Sequence, residues 1–192
     1  IVKGVHNAFG LDLEPKEIAD EIDIMHICFR YSEGFVDEAA GYIRRFKPEL
    51  TIIESTVLPG TTIKVWERTG CVENVVHSPV RGRKADGFKW GYFTYTKFIG
   101  GVTPEAAVMA EEYYRTLGFK TKICGSPLET EFAKLLNTTY YGLCIAWFQE
   151  VARICVRFGL NFEVIKDFIW STERDSGGRV PRPVYEPVSY TH

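Results

Sequence analysis

The sequence is short of several things, and each absence narrows what it can be. Its five cysteines, Cys28, Cys71, Cys124, Cys144 and Cys155, form no CxxC pair. An odd number of scattered thiols argues against a disulfide framework and for a reducing, cytoplasmic setting. Neither charge is in excess: the formal net charge is -2 over 192 residues, which excludes bulk attraction to nucleic acid or to acidic lipid. No apolar run is long and pure enough to span a bilayer, and no signal peptide is expected. Repeats and low-complexity segments are missing too. The four histidines show no metal-ligand spacing, and His26 reads as a core residue. The chain opens on Ile1 rather than Met, so it is expected to be a fragment. Its hydrophobic content of 45% suits a globular core, and its length suits one domain or one domain with part of another.

What is present is an alternation. Residues 22–29 ("IDIMHICF") are short and apolar, as a buried parallel strand is. Residues 35–46 have helical spacing, 50–55 read as a strand and 62–68 as a helix. Residues 73–79, 97–101 and 120–124 look like further strands, with a helix over 104–117 that carries Pro in its first turn. This alternation predicts an α/β fold with one parallel sheet covered on both faces. From Ser126 the pattern changes. Ser126-Pro127-Leu128-Glu129 reads as an N-cap, a first-turn Pro and a capping-box Glu. The helical pattern then runs on to Gly159, about 45–50 Å at 1.5 Å per residue. Its middle, "YYGLCIAWF" from Tyr140, is apolar nearly all round, which predicts burial on several sides. It is either an internal core helix or one that joins two domains and packs on a partner subunit. Residues 161–170 make one more helix, and the Pro-, Gly- and Arg-rich tail from Ser171 reads as loop. The expected divisions are a sheet domain over 1–125, a helical region over 126–173 and a tail over 174–192.

Three segments carry candidate chemistry. "ESTVLPGTT" (54–62) puts Ser55 and Thr56 at a strand's carboxyl end, where ligands sit in open parallel sheets. Pro59 and Gly60 shape the turn, and Thr61 or Thr62 caps a helix whose N-terminus favours anions. The plain alternative is a strand-to-helix turn with a Thr cap. "HSPVRGRK" (77–84) places Arg81, Arg83 and Lys84 past another strand, as an anion-binding loop or a solvated basic loop. "ETEFAKLLNTTYYG" (129–142) sets Glu131, Lys134 and Thr138 on one helical face, as a site or as a surface salt bridge. Cys28 falls in a predicted buried strand, and Cys144 and Cys155 lie among apolar neighbours, so these thiols read as inert. "KFIGG" reads as punctuation.

In their order these segments, with "TPEAAVMAEEYYRTLG" and "FQEVARIC", resemble the UDP-glucose/GDP-mannose dehydrogenase family over roughly residues 22–170. These are NAD-dependent nucleotide-sugar dehydrogenases. The resemblance implies an incomplete Rossmann-like sheet, its first GxGxxG unit missing, followed by a long central helix leading toward a second domain. That helix forms the core of a homodimer in the family. The implied reaction oxidises the primary alcohol of a UDP- or GDP-sugar to the uronic acid with NAD, through thiohemiacetal and thioester intermediates on a Cys. Thr56 matches the Thr that helps position water, and Lys134 the Lys that stabilises the developing oxyanion. Asn137 or Thr138 takes the place of the family's Asn. The implied cofactor-binding residues are Phe29, Arg30, Ser55, Thr56 and Glu131, and the substrate-binding ones Arg81, Arg83, Lys84 and Lys134. No metal, nucleic acid or membrane partner is implied.

The pattern is also departed from. No GxGxxG is present, and Asp12 in "GLDLEP" is either a ribose-binding acid or an ordinary turn residue. Pro79-Val80 stands where the family has Pro-Glu. Gly177-Gly178 is followed by Arg179-Val180 rather than completing GGxC, so the chain is expected to end short of the nucleophile and to be inactive alone. Two other readings stay open: a non-catalytic relative acting as a binding or assembly module, and a dehydrogenase of the 3-hydroxyacid or 6-phosphogluconate type.

Overall fold

Leu50, Thr51, Ile52 and Ile53 are all buried, and the sheet is built outward from them. The structure, a computed structural model, describes residues 22–71, 74–81, 94–179, 181 and 183. Strand β2 (Leu50–Ile53) lies between β1 (Ile24–Ile27) and β3 (Asn74–His77), parallel to both. β4 (Lys97–Gly101) and β5 (Thr121–Ile123) complete the order β1-β2-β3-β4-β5. Alternation along the strands serves two cores. Leu50, Ile52, Val76 and Ile99 pack on Ala106, Ala107, Ala110 and Tyr114 of α3 (Pro104–Thr116). Ile27, Ile53 and Val75 pack on Phe35, Ala39 and Ile43 of α1 (Phe35–Phe46) and on Val65 of α2 (Thr61–Arg68). A sheet covered on both faces needs such apolar strands.

One strand runs against expectation. β4 is antiparallel to β3, with Val76 opposite Gly101 and His77 opposite Gly100, and β5 is parallel to β4. A short apolar run reads the same in either direction, so the sequence pattern could not fix this. The reversal brings Lys97, the first residue of β4, to the carboxyl edge of β3. "KFIGG" is also more than punctuation. A Cβ on Gly100 would stand 2.6 Å from the Pro127 Cα and closer still to the Ser126 carbonyl; one on Gly101 would stand 2.7 Å from the Ala107 nitrogen. The two glycines let α3 and α4 (Pro127–Phe158) start directly against β4.

The helix ends follow local rules with two changes. The Thr103 hydroxyl accepts from the Ala106 N–H at 3.1 Å, and Asn161 caps α5 (Phe162–Asp175) by accepting from the Glu163 N–H at 2.9 Å. Glu129 reaches back to the Gly125 N–H at 2.8 Å, one residue before the Ser126 of the expected capping box. α5 runs to Asp175, past its expected end at Trp170, and Ser171 within it places its hydroxyl on the Phe168 carbonyl at 2.7 Å.

The chain divides into two units, residues 1–135 and 136–192. The first holds the sheet, α1 to α3 and the opening turns of α4. The second holds the rest of α4, with α5. There Phe148, Val151 and Cys155 are buried, while Leu136, Tyr140, Tyr141, Leu143 and Trp147 are exposed. Within the single chain the middle of the long helix is thus largely exposed rather than buried on several sides. Among the described residues no helix is long and apolar enough to cross a membrane.

Two glycines give opposite expectations. Gly100→Ala should destabilise the chain by about 1–3 kcal/mol, because the methyl meets backbone. Gly41→Ala in α1 meets nothing within 4 Å and should stabilise by about 0.5–1 kcal/mol. Urea unfolding midpoints decide; a Gly100→Ala midpoint equal to that of the parent would remove the close approach as the reason for this glycine.

Candidate functional site

The "LPGT" turn is type II: the Thr61 N–H donates to the Leu58 carbonyl at 3.1 Å, Pro59 is in second place, and Gly60 is left-handed at φ 86°. A helix start leaves backbone N–H groups without partners. The expected Thr cap is not what satisfies those of α2. Glu131, from α4, accepts the Gly60 N–H at 2.6 Å, the Thr62 N–H at 2.8 Å and the Thr62 hydroxyl at 2.6 Å. A carboxylate there is favoured by the helix dipole. Glu131 is 1% exposed. The carboxylate expected to bind cofactor thus fastens α4 to α2 in this structure.

Ser55 is likewise turned inward. Its hydroxyl donates to the Phe29 carbonyl at 2.6 Å, and its own carbonyl accepts from His77 Nε2 at 3.1 Å. A carbonyl can only accept, so Nε2 carries the hydrogen, and Nδ1 meets the Thr130 hydroxyl at 2.7 Å. Burial pushes His77 below its ordinary 6.5 and keeps the ring neutral. What stays open is a cleft of about 360 Å³ lined by Cys28, Phe29, Arg30, Tyr31, Ser55 and Thr56. It lies past the carboxyl ends of β1 and β2. Arg30 and Thr56 are exposed there. The Phe29 ring rests 4.8 Å from that of Phe35. Cys28, expected inside a buried strand, lies just past β1 and is exposed.

Beside the cleft, the ladder of β2 and β3 continues. The Ser78 N–H donates to the Ile53 carbonyl at 3.0 Å and the Val80 N–H to the Glu54 carbonyl at 3.2 Å. Lys134, half-buried, donates to the Val80 carbonyl at 2.7 Å. Burial first, then the charges of Arg81 and Lys97, push its pKa below the ordinary value. Glu131 and Lys134 thus go to different partners, one to α2 and the other to the segment after β3. Arg81 lies outside the residues lining the cleft; its guanidinium stands 5.3 Å from the Tyr95 ring and 5.4 Å from the Phe98 ring. Asn137 and Thr138 are exposed on α4 in the second unit. Arg83, Lys84 and Asp12 lie outside the described residues.

Sequence reasoning missed a buried polar network. Glu54 accepts from Lys97 Nζ at 2.5 Å, from the Tyr114 hydroxyl at 2.6 Å and from His26 Nδ1 at 3.2 Å, and Lys97 also donates to the Ser78 carbonyl at 3.1 Å. His26, expected in the core, is part-exposed and has its Nε2 on the Tyr113 hydroxyl at 2.9 Å. Burial would raise the Glu54 carboxyl, but the His26, Lys97 and Tyr114 hydrogen bonds and the Lys97 charge hold it down at about 2. The available signal was a charged residue directly flanking each of two apolar strands. Among the described residues no group of His, Cys, Asp and Glu is placed to hold a metal.

No protein-family model matches the chain. It is 30% identical over 176 residues to UDP-N-acetyl-D-mannosamine dehydrogenase of Methanococcus maripaludis (strain C7), a match over 84% of this chain and 40% of that protein. Among solved structures it is similar to UDP-D-ManNAc dehydrogenase from Pyrococcus horikoshii, with a TM-score of 0.69 and 25% identity over 84% of this chain and 41% of that one. A UDP-glucose dehydrogenase from Pyrobaculum islandicum shares the fold, with a TM-score of 0.63 and 22% identity over 83% of this chain and 40% of that one. The chain spans about 40% of the length of the curated relatives it matches.

Glu131→Ala should cost about 2–4 kcal/mol of unfolding free energy, since it leaves two N–H donors of α2 and the Thr62 hydroxyl without their partner. It should also strip hydrogen-exchange protection from the first turn of α2; full protection there would refute the capping role. Acid gives a second expectation. The folded chain binds a proton at His77 more weakly than the unfolded chain, so stability should begin to fall as pH drops below about 6.5. Glu54 is held below its ordinary 4.5, so its contribution is full above that value and is lost as pH falls toward about 2. The loss amounts to at most about 3 kcal/mol. In denaturant titrations from pH 7 to 3 the parent should show the whole decline, and His77→Gln and Glu54→Gln should each lack the matching part of it.

Proposed function

We propose that the chain is part of a nucleotide-sugar dehydrogenase, which its similarity to these relatives supports over the stretch they share, and that it serves the NAD-dependent oxidation of a nucleotide sugar's primary alcohol to the carboxylate. The observation that carries this reading is the placement of Lys134. Its ammonium is not on the solvent face of α4 but is drawn by the Val80 carbonyl to the carboxyl edge of the sheet. There a fixed positive charge with few competing waters stabilises negative charge developing on a substrate oxygen, and contributes more than in water. Thr56, exposed in the cleft, holds a water or a substrate hydroxyl.

The cleft fits the nucleotide cofactor by its donor set. It offers the guanidinium of Arg30, the hydroxyls of Thr56 and Tyr31, and the aromatic faces of Phe29 and Tyr31. An anionic ligand that carries rings uses all of these, and open sheets bind such ligands past their strand ends. Phe29, Arg30 and Thr56 would hold NAD, which when bound supplies the hydride acceptor. Ser55 supports the floor through its bond to Phe29. Arg81 supports the neighbouring wall and serves the substrate's phosphates in this reading. The relatives act on UDP-N-acetyl-D-mannosamine, so a UDP-sugar is the first substrate to try. A second copy of the chain is the proposed cover for the exposed Leu136, Tyr140, Leu143 and Trp147 of α4.

Lys134→Ala in the full-length enzyme should lower kcat by on the order of a hundredfold or more, with KM changed less, because the interaction strengthens mainly in the transition state. Formation of NADH with UDP-N-acetylmannosamine or UDP-glucose is the readout. A normal kcat in the variant would remove Lys134 from the mechanism.

A further inference from the structure

Glu54 and Lys97 form an ion pair whose side chains are only 9% and 6% exposed. Burying a pair of charges gives little or no net stability over apolar residues of the same shape. Lys97 illustrates the cost: burial pushes its own ammonium below the ordinary pKa despite the Glu54 charge. The presence of the pair therefore asks what it holds in place.

Its hydrogen bonds converge on residues 78–80. Lys97 Nζ donates to the Ser78 carbonyl at 3.1 Å while it is gripped by Glu54 Oε2 at 2.5 Å. The Glu54 main-chain carbonyl accepts the Val80 N–H at 3.2 Å. Glu54 thus acts twice on one short segment, through its carboxylate by way of Lys97 and through its backbone directly. The next group on that segment, the Val80 carbonyl, takes the Lys134 ammonium at 2.7 Å. Tyr114 and His26 fill the remaining positions around Oε1 of Glu54, so the carboxylate is fixed from three sides.

We infer that Glu54 and Lys97 are positioning residues for Lys134: the pair pins residues 78–80 so that the Val80 carbonyl fixes the Lys134 ammonium, and it sets a second cation behind that ammonium. Neither residue touches the cleft. Among the described residues the charges that act on Lys134 are Arg81 from the segment after β3 and Lys97 from β4, while Glu131 on its own helix faces α2. Two cations at its back weaken the hold of Lys134 on its proton, in addition to the effect of burial. The inference rests on the proposed catalytic role of Lys134 only for its consequence in turnover.

The placement is read without turnover, by NMR of the chain labelled with 15N in its lysine side chains. The Lys134 Nζ resonance is identified by its loss in Lys134→Arg and followed over pH. In the double variant Glu54→Gln/Lys97→Met, which keeps the shape of the pair without its charges, the Lys134 midpoint should move by roughly half a unit or more, since the Val80 carbonyl and the neighbouring cation are both displaced. The Val80 amide resonance should move as well. Lys97→Arg, which keeps the cation, should hold the midpoint near that of the parent. If circular dichroism shows the double variant unfolded, Lys97→Gln carries the same expectation. An unchanged midpoint and an unchanged Val80 amide in a folded variant overturn the inference. A shifted midpoint, together with normal turnover of full-length Lys134→Ala, supports the positioning and overturns the catalytic role instead.

Discussion

The carboxylate of Glu131 meets the start of α2 across 69 to 71 residues of chain, and the geometry of the site depends on that meeting. A helix start enclosed by protein leaves donors that water cannot reach, and each one left unpaired costs free energy comparable to a lost hydrogen bond. Glu131 satisfies two of them and adds the favourable sign of charge. The same stretch of α4 is fastened at two more points. Thr130 meets the His77 ring, and Lys134 reaches Val80. These three attachments fix the opening turns of α4. Gly100 lets its first residues lie against β4, so the helix is also seated at its end. Lys134 is one helical turn from Glu131, and its position is inherited from that anchoring.

The reversal of β4 serves the same edge. Had β4 run parallel to β3, Lys97 would stand at the opposite end of the sheet. Running antiparallel, it brings its first residue to the carboxyl ends of β2 and β3, where Glu54 stands. The ionic contact and the strand direction are therefore one feature, and neither is meaningful without the other. Tyr114 closes the arrangement from α3, with its ring 4.7 Å from the Lys97 ammonium and its hydroxyl on Glu54. A side chain that belongs to the apolar core on one side thereby ends a polar network on the other.

Much of this was legible because the deciding signals are local. The alternation of residues 22–101 announced strands and helices close to those present, and the lack of a breaker after Pro127 announced the 32-residue α4. That Thr56 and Arg30 stand at an open cleft was legible from their place just past strand ends. What escaped was non-local. Capping rules concern neighbours in sequence, so they offered Thr61 or Thr62 for α2 and could not offer Glu131. Glu54 and Lys97 are 43 residues apart, and nothing in either neighbourhood names the other. Strand direction was hidden for the reason given above. The composition of "YYGLCIAWF" stated that apolar surface needs covering, but not by what, and its side chains remain largely on the surface.

The distance along the chain between α2 and its cap also bears on the order in which the protein forms. Chains emerge from the ribosome N-terminus first, at a pace of about 5–20 residues per second. β1, α1, β2, α2 and β3 are all synthesised before Glu131 exists, so the leading amides of α2 first have only water for partners. An eight-residue helix has little cooperativity to hold itself together without help. The half-made sheet must therefore wait, with its N-terminal helices docked and α2 frayed at its start, until α4 arrives to close it. Completion of the ligand-facing edge and completion of the fold become one late event, driven by a contact between distant parts of the sequence.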